Sequence, residues 1–197
     1  LLAENFFSLK KNDEARPIYK KLSKLGSIYK WYASKKISVI MDNEDKDSVK
    51  FLSDSYKEIE ADIYETFDFA NFLRGKENYK KSIELYSDLL LKVDSNHELY
   101  PKILERRGMA YERSDLWSLA EKDLLMSLKA LPKEAYVMNY LAYSWVEKNK
   151  NIEEALDMLR EANQLKMHDG YITDSLGWAL YKLKKFSEAQ KYLEKAI

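Results

Sequence analysis

The chain has 197 residues, of which 34% are charged and 46% hydrophobic, and its 33 basic side chains balance 33 acidic ones. With no net charge, no overall field draws it to nucleic acid or to an anionic membrane, so we expect no nucleic-acid partner. The absence of cysteine excludes disulfides, thiolate metal sites and cysteine nucleophiles. No apolar run approaches the ~20 residues of a membrane span, so we expect no direct membrane insertion.

The ends of the chain indicate a piece of a longer protein. It begins at Leu1 rather than at a methionine, and Ile197 falls inside a helical pattern. No charged and then apolar segment of the signal-peptide kind opens it. We therefore expect any signal or lipid anchor to lie outside these residues.

Residues 1–59 predict irregular helical hairpins. The predicted helices are, in order, about 1–10, 14–25, 31–40 and 49–59. The polar run 42–47 lies between the last two and indicates a solvated turn. It lacks the glycine and the terminal glutamate that a calcium loop requires.

Residues 60–197 predict a more regular array of hairpins. The repeats fall at about 63–96, 101–134, 135–169 and 170–197, the last incomplete at the C-terminus. Pro101 stands where a helix begins, because the first turn needs no amide donor there. Glycine and proline are otherwise scarce, and no stretch shows the alternation typical of a β-hairpin.

Small residues recur through this array with a nearly constant period. In the first helices they are Ala70, Gly108, Ala142 and Gly177, spaced by 38, 34 and 35 residues. In the second helices they are Ser82, Ala120, Ala155 and Ala189. A period near 34 residues is typical of a helical-hairpin solenoid, and small residues at these positions allow two helices to approach closely. The sequence therefore predicts an all-α solenoid.

The repeat at 101–134 resembles the tetratricopeptide repeat. With Pro101 as its first position, the matching residues are Gly108, Tyr111, Trp117, Ala120 and Pro132. Arg107, Ser127 and Met167 depart from the family pattern without breaking its register. The resemblance covers residues 60–197 and implies a right-handed superhelical solenoid of about four to five hairpins.

A narrower resemblance is carried by four segments, 110–113, 120–124, 139–143 and 172–178. They look like those of a group of proteobacterial tetratricopeptide proteins, often exported lipoproteins that act as envelope scaffolds or adaptors. The resemblance implies a bacterial protein in the periplasm or envelope, with the cytoplasm as the alternative. The cysteine that would carry a lipid is absent from this chain.

Few residues are candidates for chemistry. The two histidines, His97 and His168, fall in turns about two repeats apart, which favours solvated residues over a metal site or a nucleophile's base. Gly170 and Gly177 serve helix packing rather than a phosphate loop. We therefore predict no enzyme, no catalytic residue, no metal and no cofactor.

The tetratricopeptide resemblance also implies a concave groove, lined by the second, fifth, ninth and twelfth positions of each first helix. Val146 is one such position. The residues predicted to bind a partner there are Asn71, Arg74, Glu105, Met109, Tyr136, Asn139, Tyr143, Tyr171, Asp174, Trp178 and Tyr181. Aromatic side chains bury much area at little entropic cost, so this surface suits a peptide or a helix.

The leading hypothesis is a non-enzymatic scaffold or adaptor that binds a protein or peptide partner in this groove. One alternative is a self-assembly module, in which the exposed rings pair with a second copy. Another is an accessory segment of an enzyme whose catalytic domain lies outside the chain. A clamp for a terminal carboxylate is disfavoured, because Asn71 and Asn139 are two repeats apart and Lys102 faces Glu105.

Overall fold

The computed structural model describes residues 2–42 and 47–196, and within these ranges the chain is all-helical, as predicted. Residues 43–46 of the predicted acidic turn lie outside the described residues. The helices are α1 (Leu2–Ser8), α2 (Asn12–Leu22), α3 (Ser27–Asp42), α4 (Ser48–Lys57), α5 (Ile63–Gly75), α6 (Tyr79–Lys92), α7 (Tyr100–Glu112), α8 (Trp117–Ala130), α9 (Ala135–Glu147), α10 (Ile152–Leu165), α11 (Gly170–Lys182) and α12 (Phe186–Lys195).

The chain forms two compact units, Leu1–Leu85 and Tyr86–Ile197, and the boundary falls within α6. The predicted division into 1–59 and 60–197 stays a prediction.

In the second unit, small residues let the helices of each hairpin pack closely. A Cβ on Gly108 would lie 3.0 Å from the Leu124 Cγ of α8, and one on Gly177 would lie 2.8 Å from the Leu193 Cγ of α12. Ala142 and Ala155 are both completely buried in α9 and α10. The small-residue pattern seen in the sequence is therefore the close-packing pattern of these hairpins.

Arg107 departs from the family pattern because it makes a buried ion pair. Its Nε and Nη2 donate to the two carboxylate oxygens of Asp123 over 2.7 and 2.9 Å, and its Nη1 donates to the Ser87 hydroxyl over 3.0 Å. Asp123 is almost completely buried. Such a bidentate pair fixes the relative position of the helices that carry it.

The first unit has an aromatic core. Tyr56 stacks on Phe69 with ring centroids 4.4 Å apart, and Trp31 meets Phe69 edge-on at 5.9 Å. Leu52 and Leu73 complete the cluster. Aromatic pairs of this geometry contribute stability beyond the area that they bury.

A single carboxylate joins the first three helices. Glu4 of α1 accepts hydrogen bonds from the hydroxyls of Tyr19 on α2, at 2.5 Å, and Tyr32 on α3. The Lys36 ammonium lies 2.9 Å from its second oxygen. These donors, with Tyr19 and Tyr32 first, lower the pKa of Glu4 to about 2.

Five hairpin turns share one backbone conformation. In each, a residue other than glycine has a positive φ, between 51° and 60°. The next amide then donates back to the helix, as Asn78 does to the Leu73 carbonyl over 2.9 Å and Leu116 to that of Tyr111 over 2.9 Å. The residues with positive φ are Lys10, Glu77, Asp115, Asn149 and Lys184. This arrangement satisfies the last carbonyls of each first helix.

Candidate functional site

Two adjoining cavities lie between α7 and α9 in the second unit. The first, of about 500 Å³, lies beside Lys102, Met109 and Tyr136, and the second, of about 320 Å³, beside Glu112 and Tyr143. Tyr140 of α9 and Tyr171 of α11 line both cavities. We call this pair of cavities the furrow.

The spacing of residues along α9 creates one wall of the furrow. Tyr136, Tyr140, Tyr143 and Glu147 follow one another at four, three and four residues, which places them on one face of the helix. Residues of the opposite face, such as Trp145, are buried in the core. The apolar face of α9 therefore fixes the direction in which its tyrosines point.

Hydrogen bonds hold two of these rings in place. The Tyr140 hydroxyl donates to Glu112 Oε2 over 2.9 Å, which ties α9 to α7. The Tyr136 hydroxyl donates to Asp169 Oδ2 over 2.7 Å. Burial, followed by the charge of Glu112, raises the pKa of Tyr140, and the bond to Asp169 raises that of Tyr136. Both phenols therefore stay protonated and act as donors at neutral pH.

The other two tyrosines keep their hydroxyls available. Tyr171 is 61% exposed and Tyr143 is 37% exposed. Among the described residues, neither hydroxyl has a hydrogen-bond partner. Burial, followed by the carboxylate of Glu147, raises the pKa of Tyr143, so that this phenol is also a donor. A ligand in the furrow can therefore accept two new hydrogen bonds.

A second group of aromatic residues lies at the end of α11 and the start of α12. Trp178 stacks on Tyr181 with ring centroids 5.5 Å apart, and Tyr181 lies 5.5 Å from Phe186. The Trp178 indole N–H donates to Glu147 Oε1 over 2.6 Å. Tyr181 and Phe186 are both about half exposed.

The predicted partner-binding residues separate into sets. Glu105, Met109, Tyr136, Tyr143 and Tyr171 line the furrow. Those on α11 that line neither cavity are Asp174, Trp178 and Tyr181. Asn71 and Arg74 belong to α5, in the first unit.

Two predicted groove positions on α9 differ from the expectation. Asn139 and Val146 are completely buried. Because α9 packs against α8, α10 and α11, its buried face is wide enough to include them. Neither amide atom of Asn139 has a hydrogen-bond partner in the described part of the chain, so its amide does not reach the surface.

Sequence reasoning missed Tyr140. It was not predicted as a binding residue, yet it lines both cavities. The signal was present in the spacing of Tyr136, Tyr140 and Tyr143, which is that of one helical face.

The two histidines lie outside the furrow. His97 accepts a hydrogen bond at Nδ1 from the Leu99 amide over 3.1 Å, and His168 is exposed. Within residues 2–42 and 47–196, no group of three acidic or histidine side chains converges as metal ligands do. Of the helices described, none combines the length and apolarity needed to cross a bilayer.

Comparison with known proteins finds a family match at the end of the chain. Residues 171–197 match the family model described as tetratricopeptide repeat. The chain is 32% identical over 102 residues to a TPR repeat-containing protein of Pseudomonas aeruginosa. The aligned region covers 50% of this chain and 17% of that protein. The chain thus spans about a sixth of the length of this relative.

Solved structures with this fold share little of the sequence. A tetratricopeptide repeat protein from Parabacteroides merdae superposes with a TM-score of 0.74 at 15% identity, covering 98% of this chain and 75% of that one. MamA from Desulfovibrio magneticus superposes with a TM-score of 0.64 at 16% identity, covering 85% of this chain and 93% of that one. A chain of the APC/C hetero-tetramer Cut9-Hcn1 superposes with a TM-score of 0.69 at 19% identity, covering 90% of this chain and 35% of that one.

Proposed function

We propose that this chain, which matches the tetratricopeptide repeat over residues 171–197, is a non-catalytic protein-interaction scaffold whose furrow binds a peptide or helix of a partner protein. Proteins with these repeats generally mediate protein–protein interactions. The observation that carries the proposal is the furrow itself, a pair of adjoining cavities with four tyrosines in its walls.

The furrow has the properties of an interface anchor site. Tyr171 and Tyr143 present large rings, and tyrosine loses little side-chain entropy when a partner covers it. Tyr140 and Tyr136 are already held by hydrogen bonds. A surface ordered before binding loses less freedom on association, which strengthens binding.

A neighbour of the same fold is consistent with such a role. The chain of the Cut9-Hcn1 structure is part of a hetero-tetramer. Its TM-score of 0.69 supports a shared fold alone, and the partner proposed for this chain rests on the furrow.

A random-peptide display library panned on the full chain tests the proposal. The furrow variant is Tyr143→Ala with Tyr171→Ala, and the matched control is Leu9→Ala with Tyr29→Ala, two exposed residues of the first unit that lie outside the predicted groove. We expect the wild type and the control to enrich the same peptides. Affinity should fall at least about tenfold in the furrow variant, as for the loss of interface anchors. Equal enrichment by all three proteins would place binding elsewhere.

Sedimentation of the wild type at several concentrations tests the self-assembly alternative. Tyr181 and Phe186 are exposed apolar rings that a second copy could cover. A monomer at every concentration supports the scaffold proposal. A dimer that dissociates in the Tyr143→Ala, Tyr171→Ala variant would mean that the furrow binds a second copy instead.

A further inference from the structure

The residues that mark the two cavities are spaced along α9 at an interval close to one turn of a polyproline II segment. Tyr136 and Tyr143, which mark the two cavities, are seven residues apart on α9. At 1.5 Å per residue, this is about 10.5 Å along the helix axis. A polyproline II segment advances about 3.1 Å per residue, so residues three apart are about 9.3 Å apart. If such a segment runs along α9, its successive turns match the spacing of Tyr136 and Tyr143.

The charges around the furrow are balanced. The first cavity has two bases and two acids in its lining, namely Lys102, Arg106, Glu105 and Glu134. The second has Arg113, Lys148, Glu112 and Glu147. Neither cavity therefore attracts a strongly acidic or a strongly basic segment. An uncharged segment can bind without electrostatic attraction.

The free hydroxyls suit a backbone whose carbonyls are open. A polyproline II segment makes no internal hydrogen bonds, so its carbonyls can accept from Tyr143 and Tyr171. An α-helix has already used most of its carbonyls and offers such donors little. Proline rings also pack on aromatic faces at low entropic cost, which is how other aromatic grooves recognise them.

We propose that the furrow binds an uncharged polyproline II segment with prolines three residues apart. One proline would lie in each cavity, with the ring of Tyr140 between them. This inference rests on the proposed function, because it names the chemistry of the partner for the same furrow.

Four fluorescently labelled synthetic peptides and the full chain test this inference by fluorescence anisotropy. The first has prolines at every third position in an uncharged background. The second has the same composition with its prolines adjacent to one another, the third forms an amphipathic helix, and the fourth is acidic. We expect the first to bind most tightly, and its affinity to change less than about twofold between about 0.05 M and 0.5 M salt.

Two single-atom variants then test the hydrogen bonds. Tyr171→Phe keeps the ring and removes the hydroxyl, so the first peptide should lose about two- to tenfold in affinity, as for one hydrogen bond. Tyr29→Phe, in the first unit, is the matched control and should change nothing.

The outcomes separate this inference from the proposed function. Tighter, furrow-dependent binding of the helical or acidic peptide would overturn the polyproline inference and leave the scaffold proposal standing. Equal affinity for the first and second peptides would overturn the claim that the furrow recognises prolines three residues apart. If no peptide of any class bound in a way that Tyr143→Ala with Tyr171→Ala abolished, both proposals would fail.

Discussion

The two units differ in how their helices pack and in where some of their aromatic residues lie. In the first, Trp31, Tyr56 and Phe69 form the centre of a core cluster, and their rings contact one another. In the second, Gly108 and Gly177 bring helix pairs close, and tyrosines such as Tyr171 remain on the surface. A helical repeat can thus fill its core with rings or with closely packed backbones. In the second unit, Tyr143 and Tyr171 remain exposed in the walls of the furrow.

The comparison is sharpest for one buried ring and one exposed ring. Phe69→Ala removes a 1% exposed side chain from the first unit, and we expect a loss of ~3–5 kcal/mol in the free energy of unfolding. Tyr143→Ala, on the furrow, should change it by at most ~0.5 kcal/mol. Urea denaturation followed by circular dichroism measures both values. A large loss for Tyr143→Ala would mean that its ring supports the fold.

A second comparison concerns the glycines. Gly177→Leu forces a side chain into the space of Leu193, so we expect a loss of ~1–3 kcal/mol and unfolding of the last hairpin at lower temperature. Gly75→Leu is the matched control, because a Cβ there would meet nothing within 4 Å. Thermal melts distinguish them. Equal melting temperatures would contradict the close packing of α11 on α12.

The smallest expected effect depends on pH and belongs to the first unit. The pKa of Glu4 is lowered from 4.5 to about 2, so its contribution to stability is complete above about pH 4.5 and is lost as the pH falls towards 2. Glu4→Gln should therefore be less stable than the wild type at neutral pH, with the difference shrinking over that window. Glu60→Gln, at an exposed residue, serves as the control. A difference independent of pH would show that the charge of Glu4 is not involved.

Local sequence patterns predict most of the helices, but they predict the residues of the candidate site less accurately. The helix predicted at 152–165 is α10 as observed, because its apolar residues repeat at helical spacing, and that spacing is a property of neighbouring residues. Local patterns do not predict which residues of α9 are exposed. Asn139 was expected in the groove from an averaged repeat register, but contacts with three other helices decide which residues of α9 are covered. Such contacts join distant parts of the chain and leave no local signal.

The furrow shows the same limit. The four-, three- and four-residue spacing from Tyr136 to Glu147 was readable in the sequence. The hydrogen bond from Tyr140 to Glu112 joins residues 28 apart, and the sequence alone does not predict it. Sequence therefore predicts which rings share a helical face, and only the packed structure shows which rings are immobilised. The remaining partner-binding residues stay predictions.

The shared turn geometry has a practical consequence for labelling and attachment. Lysine, glutamate, aspartate and asparagine all occupy the positive-φ position of the five turns, so this backbone conformation tolerates several side chains that are not branched at Cβ. Lys184 is exposed and Lys10 is exposed, and neither lines the furrow. A cysteine introduced at either position into this cysteine-free chain would carry a dye, a spin label or a surface tether. The turns at Lys10 and Lys184 are thus attachment points outside the furrow.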